Sequence, residues 1–200
     1  MEKIAPADHP IHPLIAQRWS PRAFSAQPVP SSVLAQLFEA ARWAASCYND
    51  QPWTYIVGTK AQPELFQKLL ACLVPFNAAW AEAAPVLVAG IAQNTFKHNG
   101  KPNDWGAYDL GQATATLCIQ ATALGLHVHQ MGGFTPETVI STFGLPETVT
   151  PKVMFALGYP GDPATLTDSY REKELAPRTR HPIHQFVYGE TWGKAADFLG

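Results

Sequence analysis

The amino-acid sequence predicts an α+β fold in which helices flank a mixed central sheet. Three observations carry that reading. Segments with apolar residues at i, i+3 and i+4, such as Val33–Ala45, have the period of core-facing helices. Short continuous apolar runs rich in Val and Ile, above all Pro85–Ala92, have the pattern of buried strands. The two patterns alternate irregularly, with no internal repeat and no low-complexity segment. Two hundred residues can bury a good core, so we expect a single domain over residues 1–200.

Taken in order, Ile4–Ile15 carries two His-Pro pairs and suggests an extended arm or short helix. Pro28, Pro30, Ser31 and Ser32 announce a helix whose stripe is Val33, Leu34, Leu37, Phe38, Ala41 and Ala45. Trp53–Thr59 alternates large and small side chains as a strand does. Pro63–Val74 is amphipathic on Leu65, Leu69, Leu70 and Leu73, and Asn77–Ala84 allows a further helical turn or two. Gln93–Gly106 is polar and turn-rich, the candidate for a mobile loop over a site. Ala107–Leu124 is the longest helix, rich in Gly and Ala, with Gly125 as its stop. Leu126–Met131 is a short strand, followed by a tight Gly132-Gly133-Phe134 turn. Thr135-Pro136-Glu137 opens another helix with a cap, a proline and an acid; Gly144 closes it. Lys152–Gly158 is the last clear strand, and the tail from Tyr159 is rich in proline and charge.

Composition narrows the function. Charged residues make up 15% of the chain, against about 25% in a typical soluble protein. Small side chains on the 107–124 helix and a charge-poor surface both suggest that a partner subunit covers apolar area. A net charge of −2 without a Lys/Arg run argues against nucleic acid. No apolar run approaches the ~20 residues of a membrane helix. Residues 1–14 lack an apolar core, so no signal peptide is expected. Cys47, Cys72 and Cys118 are far apart, without a C-x-x-C, and read as reduced thiols of a cytoplasmic protein.

No dinucleotide fingerprint, P-loop, nucleophile elbow or H-E-x-x-H is present. His127 and His129 would share a strand face, but no Cys or carboxylate beside them completes a metal set. Two other stretches hold more chemistry. Asn49-Asp50-Gln51-Pro52-Trp53 places two amides, a carboxylate and a large ring on a loop that Pro52 keeps out of the helix. Such amides donate and accept at once, which suits the edge of a flat heterocycle. Arg18-Trp19-Ser20-Pro21-Arg22-Ala23-Phe24 is irregular at Pro21; its two guanidinium groups and hydroxyl suit a phosphate. A second basic cluster, Arg178-Thr179-Arg180-His181-Pro182, lies at the other end of the chain.

Together, R-x-S-x-R-x-F at 18–24, N-x-Q-P-W at 49–53, Gln130–Phe134 and Arg178–Pro182 resemble the FMN-dependent nitroreductase family, from about Pro13 to Trp192. The resemblance implies an entwined homodimer with one FMN per site at the interface and a tail (about 170–200) wrapping the partner. It assigns Arg18, Ser20 and Arg22, with Trp19 between them, to the flavin phosphate, ribityl chain or pyrimidine edge. Ser46 and Asn49 match contacts to the ring system, which in some branches come from the other subunit. Gln130, Met131, Gly132 and Gly133 match the turn near the flavin N5 edge, and Arg178 and Arg180 the basic pair that clamps the phosphate. The flavin carries the redox chemistry, so no catalytic side chain and no metal is expected. NAD(P)H and a nitroaromatic, quinone or other flat acceptor are the implied substrates. A dehalogenase, an azoline oxidase and a non-catalytic flavin sensor are the alternatives. Two departures bear on the acceptor: many relatives carry an acid at Gly132, and a basic residue or histidine at Trp19.

Overall fold

The computed structural model describes residues 3–199. The expected domain over 1–200 therefore includes Met1, Glu2 and Gly200, which lie outside the described residues. Four strands form one sheet: β1 (Trp53–Thr59), β2 (Val86–Gln93), β3 (His127–Met131) and β4 (Val149–Gly158), in the order β1-β2-β4-β3. The α+β class is as expected. The expectation of a mixed sheet is corrected, because all three ladders are antiparallel. Their register pairs Trp53 with Ala92, Val88 with Phe155 and His129 with Ala156, with a bulge between Gly90 and Ile91.

Both faces of the sheet are covered. Along β4, Met154 and Ala156 enter one core cluster with Phe66, Leu69, Trp80 and Leu87. Phe155 and Leu157 alternate into another with Leu37, Val86, Val88 and Leu117. Strands buried on two faces read as unbroken apolar runs, which is why 85–92 was legible.

Helices α1 (Pro13–Gln17), α2 (Ser31–Arg42), α3 (Pro63–Ala71), α4 (Pro75–Ala81), α5 (Gly106–Ala123), α6 (Pro136–Phe143) and α7 (Asp168–Leu175) complete the fold. Proline stands at the first turn of α1, α3, α4 and α6, where its missing N–H costs nothing. Gly144 closes α6 at φ 61°, a left-handed cap that glycine adopts freely. At Gly58 a Cβ would lie 2.7 Å from Leu69 Cδ1, so α3 packs on β1 only over a glycine.

The 93–106 segment, expected as a mobile loop over a site, carries internal hydrogen bonds. Thr95 bridges Pro102, Phe96 N donates to Lys101 O (2.8 Å), and Asn103 N donates to Asn94 O (2.7 Å). It is a hydrogen-bonded hairpin, further tied to the 46–51 loop through Lys97.

Candidate active site

The two arginine clusters meet. A pocket of about 300 Å³ is lined by Arg18, Trp19, Ser20 and Arg22 from one end of the chain and by Arg178 and Arg180 from the other. Lys3, Lys173 and Glu174 line it as well, so among the described residues six cations surround one carboxylate. Phosphate is the anion such a cluster suits, because guanidinium groups donate in planar forks. Arg22 Nε and Trp19 Nε1 are buried without a hydrogen-bond partner beside this pocket. Arg178 lies below its ordinary pKa, first through burial and then through Arg18 and Arg180. Crowded cations of this kind favour an anionic ligand.

The segment 18–24 is held in place by packing as much as by bonds. Trp19 is buried against His127, with ring centroids 5.7 Å apart. His129 Nδ1 lies 2.9 Å from Pro21 O; a carbonyl only accepts, so Nδ1 carries the proton. His129 in turn packs on Trp80, centroid to centroid 4.5 Å, and Trp80 stacks on Phe24 at 6.4 Å. The His129 imidazole is pushed down to about 4, chiefly by burial, with Arg22 adding to the shift and the bond to Pro21 opposing it. The paired histidines of β3 thus form the floor of the arginine loop. Among the described residues no group of three or more His, Cys, Asp or Glu is placed to hold a metal.

Beneath the same loop lies Glu174, 1% exposed, whose carboxylate accepts from Arg22 N (2.8 Å) and Ala23 N (3.2 Å). Sequence reasoning missed this residue. It sits in a charge-rich helix, DSYREKEL, with no apolar period to mark a buried side. Lys173 was missed for the same reason, and Lys3 because no local pattern marks it.

Ser46 and Asn49 are not part of this pocket. Their loop borders a separate open cleft of about 580 Å³, lined by Tyr48, Asn49, Asp50, Gln51, Lys97 and His98. Its backbone is unusual: Tyr48, Asn49 and Gln51 have φ of 54°, 54° and 50°. Non-glycine residues there cost free energy and persist only where the surroundings over-determine them. Here Gln51 N donates to Ser46 Oγ (3.0 Å) and Cys47 N to Asp109 Oδ2 (3.0 Å). Lys97 N donates to the buried Asp50 Oδ1 (2.9 Å), and Lys97 Nζ to Gln51 O (2.8 Å). The loop is therefore rigidly braced while Asn49 itself stays exposed.

At the end of β3, Gln130 is exposed and points an amide at Cys118 Sγ (3.6 Å). Met131 is 3% exposed within the core, so its side chain is packing rather than a surface contact. A Cβ on Gly132 would meet nothing within 4 Å, leaving that backbone open to an approaching molecule. Gly133 is tight instead: its Cβ would lie 2.5 Å from Asn77 Nδ2, which donates to Gly133 O (2.9 Å).

Residues 15–159 match the model of the Nitroreductase family. The chain belongs to the nitroreductase family. Among solved structures, an oxidoreductase containing FMN superposes with a TM-score of 0.88 at 32% identity, over 93% of this chain and 94% of that one. A nitroreductase family protein from Clostridium difficile 630 gives 0.69 at 25% identity, over 89% and 96%. A putative NADH dehydrogenase/NAD(P)H nitroreductase of Xanthomonas oryzae pv. oryzae is 31% identical, over 72% of this chain and 81% of that protein. An uncharacterized 15.4 kDa protein of Mycolicibacterium smegmatis is 34% identical over 68% of this chain and 90% of its own length. This nitroreductase family member keeps both arginine clusters in one pocket, and it separates them from the Asn49 loop within a single chain.

Proposed function

We propose that the protein is an FMN-dependent NAD(P)H oxidoreductase that reduces nitroaromatics, quinones or related flat acceptors. The observation that carries this reading is the convergence of Arg18, Ser20, Arg22 and Arg180 on one pocket. The residues fit FMN: a phosphate among these cations, and flat-ring contacts at the open Gly132 backbone and the exposed Asn49. FMN would supply hydride and electron transfer, and the protein would bind and orient it. The names of the two similar oxidoreductases support the assignment of FMN and of NAD(P)H. Replacing Arg180 by Ala should weaken FMN binding by roughly 1.5–3 kcal/mol, the range for a bond to a charged group. Riboflavin, which lacks the phosphate, should bind both forms alike. FMN titration of apoprotein by fluorescence quenching reads both, and an unaltered FMN affinity would remove Arg180 from the clamp.

We infer that the chain folds as one domain and works as a homodimer. Asn49 and the arginine pocket lie on separate clefts, so a second chain completes the site. Helix α5 supports this: Asp109, its one charged residue, is buried, while Ala107, Tyr108, Gly111 and Ala115 are exposed. Within the tail expected over about 170–200, Tyr170, Glu174 and Arg178 bond to their own chain. The part beyond Pro182 exposes Phe186, Trp192 and Phe198, and it is this part that we assign to the partner. Sedimentation at micromolar concentration should give a species near twice 21.8 kDa, and a flavin-loaded monomer would sink this reading.

The sequence carries no dinucleotide fingerprint, so NAD(P)H and acceptor use one pocket in turn. Varying both together should give parallel double-reciprocal lines. Intersecting lines would mean two separate sites, and failure of NAD(P)H to bleach the yellow protein anaerobically would end the reductase reading. Cys47, Cys72 and Cys118 are unpaired, which fits a reducing compartment, and we place the enzyme in the cytoplasm. Among the described residues no helix is long and apolar enough to cross a membrane.

A further inference from the structure

Arg178 and Arg180 are neighbours in sequence with different surroundings. Arg180 is exposed, and among the described residues its guanidinium donates only to the adjacent Thr179 O (2.7 Å). Arg178 is half-buried and spends three of its five N–H groups on its own chain. Nη1 donates to Lys3 O and Ala16 O (2.6 Å each), and Nη2 to Arg18 O (2.9 Å). Lys3 continues the path: its ammonium donates to Glu174 O and Ala176 O (2.6 Å each), at the carboxy-terminal end of α7. Glu174 then returns it to the arginine loop by accepting from Arg22 N and Ala23 N. The bonds link Arg18, Arg178, Lys3, Glu174 and Arg22 in a path that the chain from 18 to 22 closes into a circuit. Ala5 N, donating to Ala16 O (2.9 Å), adds a second stitch.

We propose that Arg178 and Lys3 are positioning residues of the phosphate pocket: they lace the amino-terminal segment to the α7 arm around the Arg18–Arg22 loop, and Arg18, Arg22 and Arg180 are the ligands. This departs from the clamp of two equivalent arginines that the family resemblance implies. It rests on the FMN reading above. The physical reason is the division of donors. A planar fork that bridges carbonyls from two segments fixes their spacing, which a point charge on a flexible stem does not. Arg180, whose guanidinium bonds to Thr179 O, can meet a phosphate as a point charge, a role in which lysine keeps part of the interaction.

Lysine substitution therefore separates the roles, and FMN and riboflavin are the probes. Arg180→Lys should lose less FMN affinity than Arg178→Lys and Lys3→Met, which should each lose roughly tenfold or more. In those two variants, hydrogen exchange of the apoprotein should speed up at Ala5, Arg22 and Ala23, and in Arg180→Lys it should not. The affinity ratio of FMN to riboflavin should fall in Arg178→Lys and Lys3→Met, which general destabilisation would leave unchanged. If Arg178→Lys binds FMN as well as Arg180→Lys does, or if exchange at these amides is unaltered, the circuit is not what sets affinity. Should Arg178→Lys not fold, Lys3→Met alone decides. A wild-type protein that binds neither flavin would instead overturn the cofactor reading, leaving the exchange data as the test of the circuit.

Discussion

Replacing Trp80 by Ala should destabilise the protein by roughly 3–5 kcal/mol, the range for truncating a large buried aromatic ring. Trp80 is 2% exposed, stacked on Phe24 at one face and packed on His129 at another. Removing it leaves a void that neither neighbour fills without moving, and both neighbours support the site. Phe24 lies at the end of the R-x-S-x-R-x-F segment, and His129 holds Pro21 within it. The loss should therefore appear twice: as a lower urea midpoint and as weaker FMN binding under conditions where the variant remains folded. Trp80→Phe, which keeps an aromatic ring between the same neighbours, should lose less on both counts. A Trp80→Ala protein destabilised by under about 1 kcal/mol would mean that the site collapses readily and does not support the loop.

How much of this was legible in the sequence depends on which force positioned each part. Strand β2 and helix α5 declared themselves because apolar burial imposes a period, and both lie within one or two residues of their expected bounds. Convergence of the two arginine clusters was expected from the family resemblance; both line one pocket, where Arg178 bonds to the backbone of Ala16 and Arg18. What the sequence did not announce was made by single polar contacts over long separations. Glu174 reaches Arg22 N across 152 positions and Lys3 reaches Glu174 O across 171, with no local pattern to mark either. Met131 went the other way: it was expected at the site, but its strand register turns it into the core. The 93–106 segment was read as a loop because it is polar, and its bond from Lys97 N to the buried Asp50 crosses 47 positions with no local pattern to mark it.

The same floor of the site should make the protein acid-sensitive. His129 titrates at about 4 in the folded chain against an ordinary 6.5, chiefly through burial. Below pH 6.5 the unfolded chain then binds more protons than the folded one, so stability rises with pH across that window. The contribution is complete above about 6.5, declines as pH falls, and is exhausted below about 4. At 1.36 kcal/mol per pKa unit the full span is on the order of 3 kcal/mol. His127, also lowered mainly by burial, adds in the same direction. A proton on His129 would place an imidazolium beside Arg22 and disturb the floor under Pro21, so FMN should dissociate over the same range. Urea denaturation of wild type and His129→Phe at pH 7.5 and pH 4.5 checks the sign and the size. Wild type should lose on the order of 2–3 kcal/mol more than the variant between the two pH values. Equal losses would mean that the acid sensitivity lies in the carboxylates, and that His129 is not the titrating group under the arginine loop.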